Sequence, residues 1–186
     1  KVLAGGQSLI PLMSMRLAAP AHLVDINRVD GLDRIETDRR GVHVGATARH
    51  ATVEHDPAAF AAVPLLRQAL VHVAHPTIRN RGTTVGSLAH ADPSGEMTAV
   101  LALLGGTVTL ASRGSERTVG AADFFQGPLE SAVRPDEVAV EAFFPAPDGR
   151  TGSAWAEVSR RHGDYAVCGV GALVTLDDDR HIVAAR

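Results

Sequence analysis

Cysteine is almost absent from this chain: Cys168 is the only one among 186 residues. A lone thiol excludes an internal disulfide, a cysteine-only metal site and an iron–sulfur cluster held by these residues alone, and it suits a reducing, intracellular setting. Lysine is just as scarce, with Lys1 the sole example. No G-x-x-x-x-G-K-[ST] phosphate loop exists, and the G-x-G-x-x-G dinucleotide fingerprint is missing too. No apolar run approaches the roughly 18 residues needed to cross a bilayer. A net charge of −3 argues against a nucleic-acid footprint or a basic membrane patch. There is no internal repeat.

What remains is an ordinary globular composition, 45% hydrophobic and 21% charged, in a chain long enough to bury a sizeable core as one large domain or one and a half. The start, Lys1-Val2-Leu3-Ala4, reads as a strand already under way and not as a signal peptide. The end, Ile182 to Arg186, also stops in a strand-like pattern. A fragment of a longer polypeptide is therefore expected.

Along the chain, Val2-Leu3-Ala4 is a strand end. Gly5-Gly6 and Ser8, a helix N-cap candidate, then introduce a helix over Leu9 to Leu17 that Pro20 stops. Leu23 to Ile26 is the next strand, and residues 32–35 and 42–46 form a hairpin around Arg39-Arg40-Gly41. Thr47 to Ala74 is helical, broken near Pro57 and Pro64. A Gly- and Thr-rich turn fills 81–87. Ser94 caps a helix running to Gly105-Gly106. Thr107 to Leu110 is a strand, Ala121 to Phe125 a short helix and Val138 to Phe144 another strand. Pro145 to Gly152 is the best domain boundary. Beyond it, residues 155–161, 165–176 and 181–184 read as antiparallel strands. Helices mixed with hairpins indicate an α+β fold.

Two segments suit an anionic ligand. In Ala4-Gly5-Gly6-Gln7-Ser8, glycines between a strand end and a helix start let the backbone approach a phosphate and leave N–H groups free; an ordinary tight turn explains the same residues. In Gly82-Thr83-Thr84-Val85-Gly86-Ser87, hydroxyls and small residues are dense enough to wrap a diphosphate, or to form a plain loop. Taken singly, neither segment decides.

Taken as a pair and in order, they do. The stretches Ala4 to Pro11, Ile78-Arg79-Asn80-Arg81-Gly82-Thr83, Ser87 to Pro93 and Gly163-Asp164-Tyr165-Ala166 resemble the FAD-binding medium subunit of molybdenum hydroxylases, the family of the carbon monoxide dehydrogenase medium chain and the xanthine dehydrogenase FAD domain. The resemblance implies a two-subdomain FAD domain of the p-cresol methylhydroxylase or vanillyl-alcohol oxidase type. Residues 1–25 would belong to a first subdomain, 26–149 to a second, and 150–186 to the start of a smaller α+β C-terminal domain. It further implies that Leu3, Ala4, Gly5, Gly6, Gln7, Ser8 and Leu9 line one side of the FAD pyrophosphate and Thr83, Thr84, Gly86 and Ser87 the other. His90 would face the nucleotide or brace its loop. Glu96 would bond ribose or ribityl hydroxyls, Val73 and Ile78 would border the nucleotide, Ala139 would touch it through its backbone, and Tyr165 would shield one face of the isoalloxazine. The chain departs from the family in placing Val85 where many relatives carry a glycine. A β-branched residue resists positive φ, so either the turn is regular there or the grip is altered.

The function so implied is electron transfer: FAD takes electrons from iron–sulfur clusters and hands them to an external acceptor. No acid, base or nucleophile of this chain is then expected. The partners are a molybdenum-cofactor large subunit and an iron–sulfur small subunit in a dimer of trimers. The setting is cytoplasmic, with peripheral placement at the inner membrane face left open. Two rivals stay in view: a self-contained oxidase of the vanillyl-alcohol oxidase type, and a non-redox nucleotide-binding module. Other residues have plainer readings. His72 and His75 lack partners for a metal site, Asp177-Asp178-Asp179 is a solvated turn, and Cys168 in an apolar strand is read as core.

Overall fold

The chain opens with two short strands side by side, and they decide where the first glycine turn lies. Strand β1 (Val2–Leu3) pairs in parallel with β2 (Val24–Asp25), Val2 opposite Val24. Parallel neighbours need a crossover, and helix α1 (Leu9–Ser14) supplies it. Helix α1 is shorter than its apolar spacing predicts, because Arg16 turns left-handed (φ 61°) well before Pro20. The structure is a computed structural model and describes all residues, 1–186.

Strands β3 (Ile35–Asp38) and β4 (Gly41–Gly45) form the expected hairpin. Three short helices follow, α2 (His50–His55), α3 (Pro57–Ala62) and α4 (Pro64–Leu70). Pro57 and Pro64 stand at helix starts, where a missing N–H costs nothing, and Asp56 caps α3 by accepting from the Ala59 N–H at 2.8 Å. Helix α5 (Pro76–Arg79) leads into α6 (Thr84–His90). The sequence marks 81–87 as a turn; the chain is already helical from Thr84. Helix α7 (Glu96–Leu104) is capped by Gly95, one residue after the predicted Ser94.

Strand β5 (Thr107–Ser112) and β6 (Ser115–Gly120) make a second hairpin. Helix α8 (Ala121–Phe124) and the small pair β7 (Phe125–Gly127) and β8 (Glu130–Ser131) lead to β9 (Val138–Pro145). A five-stranded antiparallel sheet results, in the order β3-β4-β9-β5-β6. Alternate residues Val42, Val44, Val108, Leu110, Ala142 and Phe144 turn to one face, where Leu65, Leu66 and Leu70 of α4, Val85 and Leu88 of α6, and Met97 and Leu101 of α7 close one buried core. Helices cover that face and leave the other to His43, Glu141 and Phe143.

The rest is a separate three-stranded antiparallel sheet, β10 (Arg150–Val158), β11 (Cys168–Leu176) and β12 (Ile182–Ala185). It leans on α4 and α7: Leu173 joins the core, and the Gln68 Nε2 donates to the Ser153 carbonyl at 3.2 Å. Cys168 is exposed and not core. It is the first residue of β11, before the strand reaches the helices, so apolar neighbours in sequence do not bury it. No helix is long and apolar enough to cross a membrane.

Candidate functional site

The first turn follows directly from β1. Gly6 is left-handed (φ 73°) and Ser8 is right-handed α (φ −100°, ψ −44°), an alternation that points successive N–H groups into one concavity. From Gly5 to Leu9 the main-chain N–H groups donate to no atom of the protein, while these residues are half-buried. A row of unpaired, partly buried donors suits an anion and little else.

The second turn packs against the first. A Cβ built on Gly5 would collide with the Arg81 carbonyl oxygen and come 2.8 Å from the Gly82 Cα and 3.0 Å from the Thr83 nitrogen. Only glycine lets the two turns meet. Thr83 caps α6, its hydroxyl accepting from the Gly86 N–H at 3.2 Å. Thr84 is fully buried: its N–H donates to the Ala48 carbonyl (3.3 Å) and its hydroxyl is 3.2 Å from the His50 Nδ1. Thr84 therefore anchors the turn from beneath. Gly86 and Ser87 are half-buried on the first helical turn. Val85 sits in ordinary helical backbone with its side chain in the core, and its N–H has no protein acceptor. The departure from a second glycine costs no strain here.

Beneath α5 and α6 lies a buried network. The Arg79 Nε donates to the Glu54 Oε2 at 2.7 Å, both side chains only 9% exposed, and the Arg79 Nη1 donates to the Val73 and Ala74 carbonyls at 3.0 and 3.3 Å. Burial, followed by the charge of Arg79, pushes the His50 imidazole down to about 4, so it is neutral at pH 7. Val73 is thus tied to the site through its carbonyl, and Ile78 through its own, which accepts from the Gly82 N–H at 2.7 Å. Ala139 lies in β9 and belongs to the core under α6.

Glu96 opens α7 and is half-buried. Desolvation, reinforced by Glu157 and Asp92, pushes its carboxyl up to about 7. A carboxylate short of partners at neutral pH is suited to accepting paired hydroxyl donors. Tyr165 lies near Asp92 and Glu96; desolvation and then those charges raise its phenol. Its ring is 68% exposed, in the loop between β10 and β11. His90, in the last turn of α6, is half-buried. His72 and His75 meet no third ligand. Instead His75 stands against Gly163, with its ring 6.0 Å from that of His162.

Sequence reasoning missed Asn27, Arg49, His50 and Glu54. Asn27 and Arg49 bind the two turns to each other through side chains, and nothing in local spacing announces such a contact. Arg79 lies inside a stretch the resemblance already marked, yet its buried partner Glu54 is on another helix.

Two turns in contact, one of them a row of unpaired main-chain N–H groups, make a site suited to a diphosphate. The residues fit FAD, the group implied. The chain belongs to the family described as the FAD binding domain in molybdopterin dehydrogenase, whose profile matches residues 1–147. It is 42% identical over 186 residues to the 6-hydroxypseudooxynicotine dehydrogenase complex subunit alpha of Paenarthrobacter nicotinovorans, covering 100% of this chain and 63% of that one. It is 35% identical to the carbon monoxide dehydrogenase medium chain of Afipia carboxidovorans, covering 98% and 64%. Among solved structures, quinoline 2-oxidoreductase from Pseudomonas putida 86 superposes with a TM-score of 0.94 at 40% identity, over 100% of this chain and 64% of that one. The chain thus spans less than two thirds of the length of the relatives it matches.

Proposed function

We propose that this chain is the FAD-binding part of a medium subunit in a molybdenum hydroxylase-type oxidoreductase, a flavoprotein that moves electrons from iron–sulfur clusters to an external acceptor. The observation that carries the reading is the row of unpaired N–H groups from Gly5 to Leu9, set against the Arg81–Thr83 backbone by a contact only glycine permits. When bound, FAD supplies the redox chemistry, collecting electrons singly and releasing them in pairs. The chain's own residues bind and orient. Leu3 to Leu9 line one side of the pyrophosphate. Thr83, Gly86 and Ser87 line the other, with Thr84 holding them from below. Glu96 accepts hydroxyl donors, Val73, Ile78 and His90 border the nucleotide, Ala139 meets it through its backbone, and Tyr165 shields one face of the ring system. No side chain needs to act as acid, base or nucleophile.

In the finer reading, residues 1–25 and 26–149 belong to two subdomains of the p-cresol methylhydroxylase or vanillyl-alcohol oxidase type. Residues 150–186 begin a C-terminal domain. The partners are a molybdenum-cofactor large subunit and an iron–sulfur small subunit, paired as a dimer of trimers in the cytoplasm or at the inner membrane face. The relatives' names favour this over a self-contained oxidase, since they include a "complex subunit alpha" and a "medium chain".

The test is the absorbance spectrum of the purified full-length protein, before and after adding FAD. Flavin bands with co-purifying molybdenum and iron are expected. Failure to take up FAD would remove the redox reading, and flavin without either metal would favour a free-standing oxidase.

A further inference from the structure

The two turns do not meet by glycine contact alone. The Asn27 Nδ2 donates to the Ala4 carbonyl in the first turn at 2.8 Å and to the Asp25 Oδ1 at 2.6 Å. Its Oδ1 accepts from the Arg49 Nη2 at 2.7 Å, so both donors and the acceptor of the carboxamide are in use. The Arg49 Nη1 donates to the Arg81 carbonyl in the second turn at 2.6 Å. The Arg49 backbone bridges to Thr83, and the His50 N–H next to it donates to the Gly82 carbonyl at 2.9 Å. One chain of bonds thus runs from Ala4 through Asn27 and Arg49 to Arg81. It flanks a hollow of about 280 Å³ lined also by Asp33, Thr47 and Thr52. The Arg81 oxygen that Arg49 holds is the atom against which Gly5 is packed. The fork shape matters: two Nη groups at a fixed angle reach two acceptors at once, which an ammonium cannot do.

We propose that Arg49 and Asn27 are positioning residues that set the spacing between the two phosphate-facing turns. Resting on the FAD reading above, this makes them determinants of how tightly a diphosphate is held, although neither residue needs to touch it. A ligand gripped from two sides depends on the gap between the grips, and removing the link leaves each turn folded but free to drift.

The experiment uses the full-length protein and two readouts: the FAD dissociation constant from flavin fluorescence, and hydrogen exchange of the amides in Gly5–Leu9 and Gly82–Ser87 before FAD is added. Arg49→Ala and Asn27→Ala are each expected to raise the dissociation constant by about tenfold or more and to speed exchange at both turns. The double variant should be no worse than the worse single, since each breaks the same link. Arg49→Lys retains the charge and tolerates folding best, and it should lose affinity as Arg49→Ala does. Alanine variants within about twofold of the parent affinity, or full rescue by lysine, would overturn the proposal. If the parent protein itself takes up no FAD, the flavin reading fails. The brace is then decided by exchange alone: faster exchange at both turns in Arg49→Ala upholds it, and unchanged exchange removes it.

Discussion

Gly5 and Gly6 stand side by side, yet different constraints hold them. Gly6 needs its left-handed backbone, and a Cβ there would meet the Ile10 Cγ1 at 3.1 Å and the Leu3 Cδ1 at 3.3 Å. These are side-chain atoms that can shift, so Gly6→Ala should cost about 1–2 kcal/mol, mainly from backbone conformation. Gly5 has no such φ requirement, but its Cβ would strike main-chain atoms of Arg81 and Gly82. Gly5→Ala must push the second turn away. Of the two alanine variants, Gly5→Ala is therefore expected to lose more FAD affinity, and Gly6→Ala to lose comparatively more thermal stability. Equal affinity losses, read by flavin fluorescence titration, would show that the contact between the turns does not govern binding. From the sequence alone, either glycine is an equal candidate for close approach.

At the level of elements, α6 is the one on which the second turn depends. It is short, and its first turn is held by the Thr83 cap. Thr83→Ala should cost about 1 kcal/mol of stability and weaken FAD binding, while Thr83→Ser, which retains the oxygen, should restore most of both. A melting curve and a flavin titration on each variant check this. How far such elements were legible depends on how local their causes are. Pro57 and Pro64 announce the breaks between α2, α3 and α4, because proline acts on its own residue and the one before. The hairpin around Arg39–Gly41 was readable for the same reason. Helix α6 was not, since its glycine and threonines favour a turn locally while Val85 and Leu88, buried in the core, draw the segment into a helix. Strand β6 went unseen because Ser115–Gly120 is polar and lies at the sheet edge. The candidate site was legible as two motifs; the link through Asn27 and Arg49 depends on tertiary placement.

Across the whole molecule, two groups, the buried His50 and the half-buried Glu96, oppose each other as pH changes. His50 falls from 6.5 to about 4 on folding, so the unfolded chain binds more protons. Stability from this residue is present above 6.5 and is lost as pH falls towards 4. Glu96 rises from 4.5 to about 7, so here the folded chain binds more protons, and stability is lost as pH climbs from 4.5 through 7. Between 4.5 and 6.5 the two slopes offset each other. In the cofactor-free protein, His50→Gln should leave the Glu96 slope unopposed, so that Tm falls as pH climbs from 4.5 towards 7, and Glu96→Gln should leave the His50 slope, so that Tm rises as pH climbs from 4 towards 6.5. If Glu96 accepts hydroxyls from FAD, its ionised form is favoured, so affinity should rise as pH passes about 7, and this rise should vanish in Glu96→Gln. An unchanged pH profile in that variant would take Glu96 out of the site.

The meeting of Gly5 with the Arg81 backbone also has a kinetic meaning. The two halves of the cradle are widely separated in the chain, with a sheet hairpin and the helices α2 to α5 formed between them. Bringing such distant segments together carries a loop-closure cost and belongs late in folding. A form in which these two segments have not yet met lacks the gap between the turns, and so has nowhere to hold a dinucleotide. Cofactor uptake is then a report that long-range assembly is complete, and a chain that stalls with secondary structure but without this contact stays colourless.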